Sequence, residues 1–343
     1  MGLGNMDKKY SKKKHLTLKV SSDESWANYN KKEKRRYSNT NANWKEKLKE
    51  LPQDEQLALF LKYALEGNKK MLKFLNENCN IDIDIKDFDG NTALMFAVKS
   101  GKSEVVDYLL KNGANVNYIN NFGVSPLHLA VRKNALNLVD HLLRYGADIN
   151  IEDKYNQTPL FDAIQENNAQ MIRFLIDNNA YIDMQNQEGR TPLMVASFKR
   201  ERQEALCELL KFGANVNATD FNGRTGLMHA INNNNGAMMD ILLKAGAMIN
   251  VGDNENITPL MLCAKRGNRE GLRVLISRGA DVLRVDNKYR TASDYAKNYG
   301  NNSCVDILIK AEKIQSSDLP QDKKVELLKE FAMHNRVQNS CQR

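Results

Sequence analysis

Ser125-Pro-Leu-His is the stretch that decides the fold, because it returns at a fixed distance along the chain as Thr92-Ala-Leu-Met, Thr158-Pro-Leu-Phe, Thr191-Pro-Leu-Met, Thr225-Gly-Leu-Met and Thr258-Pro-Leu-Met. Two residues before each lies Gly90, Gly123, Asn156, Gly189, Gly223 or Asn256, spaced by 33 with one extra residue before Gly223. A second series closes each unit: Gly113-Ala-Asn-Val-Asn, Gly146-Ala-Asp-Ile-Asn, Asn179-Ala-Tyr-Ile-Asp, Gly213-Ala-Asn-Val-Asn, Gly246-Ala-Met-Ile-Asn and Gly279-Ala-Asp-Val-Leu. Self-similarity at such a period marks a stacked repeat.

Each residue type has a local reason to be there. Pro suits the first turn of a helix, where its missing N–H goes unused. The Thr or Ser before it can accept a bond from an unpaired N–H of that turn. The Gly of the second series sits just past a second helix, where a left-handed conformation is needed. Val106, Leu109 and Leu110, like Val139, Leu142 and Leu143, have the spacing of an amphipathic helix. Each unit is therefore two short antiparallel helices followed by a hairpin-like loop. No unit can bury its apolar face alone, so neighbours must stack.

The pattern resembles the ankyrin repeat family, whose unit carries a T-P-L-H-x-A motif. The resemblance runs from about Leu51 to Ala311 and implies an all-α solenoid of six full repeats between two degenerate caps. The N-terminal cap, Leu57 to Asp82, keeps Ala64 in phase with Ala97 and is made polar by Lys62, Lys69, Lys70 and Lys73. The C-terminal cap keeps Thr291 and Ala296 but carries Ser293-Asp294 in place of Leu-His, as if its outer face met water.

Charge divides the chain in the same way. The formal net charge is +8, and residues 1–50 hold 14 basic and 6 acidic side chains, so the excess belongs to that segment. Residues 51–311 hold 30 basic and 31 acidic side chains, which argues against a globally basic nucleic-acid coat. No apolar run is long enough to span a bilayer, no signal-peptide core separates Met1 from Val20, Met6 breaks the myristoylation pattern, and Cys341 is misplaced for prenylation. Five scattered cysteines without a C-x-x-C pair read as free thiols, and so as an intracellular, cytoplasmic protein with nuclear import as the alternative.

Residues 1–50 read as a disordered arm, with Lys12, Lys13, Lys14, Lys31, Lys32, Lys34, Arg35 and Arg36 as its basic clusters. Those clusters could direct nuclear import, hold an anionic membrane or bind nucleic acid. Trp26, Tyr10, Tyr29 and Tyr37 could stack on bases, while Trp44 and Leu48 could pack on the first cap. Residues 312–343 form a helical tail, apolar at Val325, Leu328 and Phe331, expected to dock on the last repeat.

Nothing in the pattern supports catalysis, a cofactor or a metal. Gly101-Lys102-Ser103 lacks the earlier glycine of a phosphate loop, since Phe96 stands there. The five histidines have no metal-ligand spacing. By the resemblance His128 is a structural hydrogen-bonding residue, and His229, one place out of that phase, reads as an ordinary helix residue.

The resemblance also assigns a concave partner face to the loop tips and first helices. Its tips include Phe88, Asn91, Asn121, Phe122, Val124, Tyr155, Gln187, Arg190, Phe221, Arg224, Asn254 and Ile257. Its first-helix positions include Lys99, Arg132, Lys133, Phe198, Lys199, Lys265 and Arg266. Apolar tips could anchor a partner or pack on the next loop. The basic side chains favour a partly acidic partner protein, or simply solvate the helix ends. The extra residue in Ser197-Phe-Lys-Arg-Glu-Arg-Gln203 lengthens one turn. The expectation is a monomeric, non-enzymatic interaction scaffold. The alternatives are targeting by the arm, or a targeting module for an enzyme complex or a bacterial effector.

Overall fold

A computed structural model describes residues 44–340, with side chains through Ala332. The lysine clusters at 8–36, Trp26 and Cys341 lie outside the described residues, as does the side chain of Trp44. The chain divides into two compact units between Asp148 and Ile149.

The first unit holds α1 (Trp44–Lys49) and the helix pairs α2 (Gln53–Glu66) with α3 (Lys69–Asn78), α4 (Ala93–Lys99) with α5 (Ser103–Lys111), and α6 (Pro126–Arg132) with α7 (Leu136–Arg144). The second holds α8 (Pro159–Gln165) with α9 (Ala169–Asp177), α10 (Pro192–Ser197) with α11 (Gln203–Lys211), α12 (Gly226–Asn232) with α13 (Gly236–Lys244), α14 (Pro259–Arg266) with α15 (Arg269–Ser277), and α16 (Ala292–Asn298) with α17 (Asn302–Gln315). A last helix, α18 (Gln321–Ser340), follows. Within each unit first helix stacks on first helix, as α2 on α4 and α12 on α14, and second on second, as α9 on α11.

The repeated Leu of the signature, from Leu94 through Leu127, Leu160, Leu193 and Leu227 to Leu260, is buried every time. So is the second-helix series of Leu109, Leu142, Leu175, Leu209, Leu242, Leu275 and Leu308. Each buried Leu contributes roughly 1.5–3 kcal/mol, so within each unit the helix pairs are held by two series of leucines at the repeat period. Thr92, Thr191, Thr225 and Thr258 accept the N–H three residues on, at 3.3–3.4 Å. Thr158 departs from the expected cap: its Oγ1 is buried and bonds nothing.

The loops are fingers of tight turns, with one isolated bridge, Lys86 to Thr92, and no strand among the described residues. Their hairpin-like closure comes from bonds such as Asp87 N–H to Asn91 O, 3.0 Å. A side chain pins every finger. Asp87, Asn120, Asp153, Asn186, Asp220, Asp253 and Asp286 each accept an N–H four residues on through Oδ1, at 2.7–3.0 Å. The next residue zips finger to finger, for Asn121 Nδ2 donates to Phe88 O and Asn254 Nδ2 to Phe221 O, both at 2.9 Å. Asn117 and Asn217 form a second zipper by accepting the N–H of Asp148 and Met248 at 2.7 and 2.8 Å.

The N-terminal end departs from the expected cap at Lys62 and meets the expectation at Leu48. Lys62 is buried, so it does not supply a polar outer face. Leu48 is fully buried, α1 lies against α3, and Gln56 Nε2 donates to Leu48 O at 3.0 Å. At the other end α18 packs on α15 and α17 and buries Leu328 and Ala332, so the tail docks as expected. Val325 is half-buried.

Candidate functional site

Each finger runs straight into the next Thr or Ser cap, so the first helices start at the base of the fingers. That register brings side chains 33 residues apart onto one surface. In the first unit Lys99 and Arg132 are such a pair, both exposed, and with Phe122 they line a groove of about 310 Å³ floored by Met95, Phe96 and Leu129. Asp89 stands at its rim, and Lys133 is exposed just beyond Arg132. Phe88, 61% exposed, tops the preceding finger.

Several expected contact residues of the second unit are engaged by the scaffold. The Arg190 guanidinium pairs with Glu188 and lies 4.9 Å from the centre of the Phe198 ring. Phe198 in turn stands 4.7 Å from the His229 ring, tilted by 52°. Arg224 Nε reaches Asp253 Oδ2 at 3.4 Å, and Lys265 Nζ sits over Tyr299 at 5.3 Å. Lys199, Arg266, Tyr155 and Phe221 remain exposed. Tip positions Val124 and Ile257 are buried and belong to the core. Asn91, Asn121, Gln187 and Asn254, expected at the tips, bond within and between fingers.

The lengthened turn at 197–203 is not an open loop. Arg200–Arg202 winds into one 3-10 turn, and the half-buried Arg202 donates from Nη1 to Val195 O at 3.0 Å. Burial lowers the Arg202 pKa against the pull of Glu201 and Glu166.

His128 meets its expected role: buried, its Nδ1 accepts from Ser125 N–H at 3.2 Å while its own N–H donates to Ser125 Oγ at 3.3 Å. His229 does not. It is buried, and its Nε2 lies 2.9 Å from Asp220 Oδ2, joining helix to finger. The finger Asp and Asn side chains were the missed residues, although their spacing, Asp or Asn three residues before each Gly or Asn of the first series, is visible in the sequence.

Comparison with known proteins agrees with this geometry. The ankyrin repeats model matches three times, over residues 59–153, 127–220 and 199–286. The chain belongs to the ankyrin repeat family. Its fold class is the all-α ankyrin-repeat solenoid, and ankyrin repeats are in general protein–protein interaction modules. The chain is 30% identical to the ankyrin repeat domain of Bcl-3, a unique member of the IkappaB protein family, with a TM-score of 0.59 over 65% of this chain and 99% of that one. Human transient receptor potential cation channel subfamily A member 1 is 36% identical over 69 residues, 20% of this chain and 6% of the channel. Delta-latroinsectotoxin-Lt1a of Latrodectus tredecimguttatus is 44% identical over 55 residues, 16% of this chain and 4% of the toxin. The chain thus spans a small fraction of these two relatives. No described helix is long and apolar enough to cross a membrane.

Proposed function

We propose that this ankyrin repeat protein is a non-enzymatic scaffold that holds an acidic stretch of a partner protein on the face made by first helices and fingers. The observation that carries the reading is the groove where exposed Lys99 and Arg132 flank Phe122. An aromatic anchor beside two cations combines the apolar contact that dominates binding hot spots with charges that steer an acidic partner. Exposed Lys133 adds the same sign beside Arg132 in the first unit. The four described cysteines are free thiols, which supports an intracellular and chiefly cytoplasmic site of action.

The test is crosslinking in the native cell from a photoreactive residue at position 122, followed by affinity measurement with the captured partner. Lys99→Glu with Arg132→Glu should weaken binding at least tenfold while leaving helical content and melting unchanged. Equal affinity in the double variant would overturn the reading.

A further inference from the structure

A larger groove lies within the second unit. It encloses about 1180 Å³ between the end of α13, the loop 247–252, the turn after α15, and α18. Its walls are apolar at Leu243, Met248, Val251 and Val325, and they carry Arg278, Arg284 and Lys329 with no carboxylate. A smaller lobe of about 280 Å³ continues past Arg278 and Lys329 and contains Asp240, which is already paired with Lys244 Nζ at 2.7 Å and Arg278 Nη2 at 3.4 Å.

Two features single this groove out from the repeat pattern. The position two after the start of the closing series is Asn or Asp at 115, 148, 215 and 281 and Tyr at 181, yet here it is the aliphatic Met248, 55% exposed at the groove. The tail builds the opposite wall. While Leu328 and Ala332 are buried under α18, Val325 and Lys329 lie one turn apart along the edge that faces the groove, apolar first and cationic second. Arg284 spends one N–H on Asn250 O, at 2.7 Å, out of the five donors of a guanidinium.

We propose that this groove docks a second partner element, an acidic peptide segment anchored by an apolar side chain. Arg284 and Lys329 on walls that carry no carboxylate, beside an Arg278 shared with Asp240, select negative charge, and the exposed Met248 accepts an apolar anchor of adaptable shape. The site is assembled from second helices, their following loops and the tail, so it works independently of Lys99 and Arg132.

The probe is an unbiased library of displayed 12-residue peptides, selected on the full chain and then synthesised for affinity measurement. Groove-binding peptides should combine Asp or Glu with an apolar residue and crosslink to a photoreactive residue at position 248. They should bind at least tenfold more weakly to Arg284→Glu with Lys329→Glu, and should be indifferent to Lys99→Glu with Arg132→Glu. Met248→Asp, a change at an exposed side chain, should give the same loss and keeps the test decisive if the charge reversal disturbs folding. Recovery of no groove-dependent peptide, or of neutral or basic ones, overturns the proposal. Sedimentation with phosphatidylserine vesicles that Arg284→Glu with Lys329→Glu abolishes also overturns it, in favour of a membrane.

Discussion

His229 Nε2 lies 2.9 Å from Asp220 Oδ2 with both side chains buried, and Tyr295 Oη repeats the relationship by donating to Asp286 Oδ2 at 2.8 Å. In both cases nine residues separate a finger carboxylate from a ring on the following helix. Oδ1 of the same carboxylate accepts two backbone N–H groups of its finger, from Asn222 and Arg224 for Asp220 and from Lys288 and Arg290 for Asp286. One side chain therefore fixes the turn and ties it to the helix. Charge-assisted bonds to backbone N–H groups in a buried setting are among the stronger hydrogen bonds.

The His229 link makes stability depend on pH in a defined direction. Burial, the larger influence, lowers the pKa of His229 below the ordinary 6.5, and Asp220 only partly opposes it. The unfolded chain then binds the proton more readily than the folded one. Stability from this residue is complete above about 6.5 and is lost as pH falls through the folded value. His229→Tyr, which places the ring of the Tyr295 register there, should flatten the slope of the urea midpoint over this window. An unchanged slope would show that other groups set it.

Asp286 is the most heavily used carboxylate of the set. Burial alone would raise its pKa, but backbone and side-chain bonds from Arg290, the Tyr295 hydroxyl and the Lys288 N–H outweigh it and hold the carboxyl well below its usual range. Its contribution is therefore present above about pH 4 and lost on further acidification. Asp286→Ala leaves the Tyr295 O–H and two backbone N–H groups without this acceptor and should cost about 3 kcal/mol. The check is the urea midpoint of α16 and α17 followed by hydrogen exchange, which should drop clearly relative to Asp253→Glu.

Two glycines of similar conformation should respond differently to the same change. Gly189 and Gly213 have φ of 73° and 82°, so Ala costs about 1–2 kcal/mol at either through the left-handed backbone. A Cβ at Gly213 would meet open space, whereas at Gly189 it would stand 2.6 Å from the Phe221 backbone N. Gly189→Ala should thus destabilise more than Gly213→Ala in thermal unfolding. Tyr289 occupies the corresponding finger position with φ 58° and is 85% exposed, so Tyr289→Gly should raise stability by about 1 kcal/mol.

The repeat was legible because its determinants are local: Thr or Ser caps, Pro in the first turn, left-handed Gly and the leucine series each act within a few residues. The docking of α18 was legible from the apolar spacing of Leu328 and its neighbours. His229 was misread because its partner Asp220 lies in the finger, and helical phase says nothing of that approach. Arg190, Arg224 and Lys265 read as contact cations because their charge is local, while the partners that occupy them, Phe198, Asp253 and Tyr299, are set by stacking. The wall supplied by Val325 and Lys329 was invisible for the same reason, since it exists only once the tail has folded back.

That return of the tail gives the last prediction. Leu328 is 6% exposed where α18 meets α15 and α17, and a carboxylate placed there would be buried without a partner. Leu328→Asp should therefore release α18 rather than unfold the repeats, because each pair in a stack is held chiefly by its nearest neighbours. Hydrogen exchange should rise in α15, α17 and α18 and stay unchanged in α4 to α7. The variant should also lose the peptides that depend on Arg284 and Lys329, since one wall of their groove is gone. Protection retained in α18, or exchange raised equally through the first unit, would show that the tail is not held by this contact.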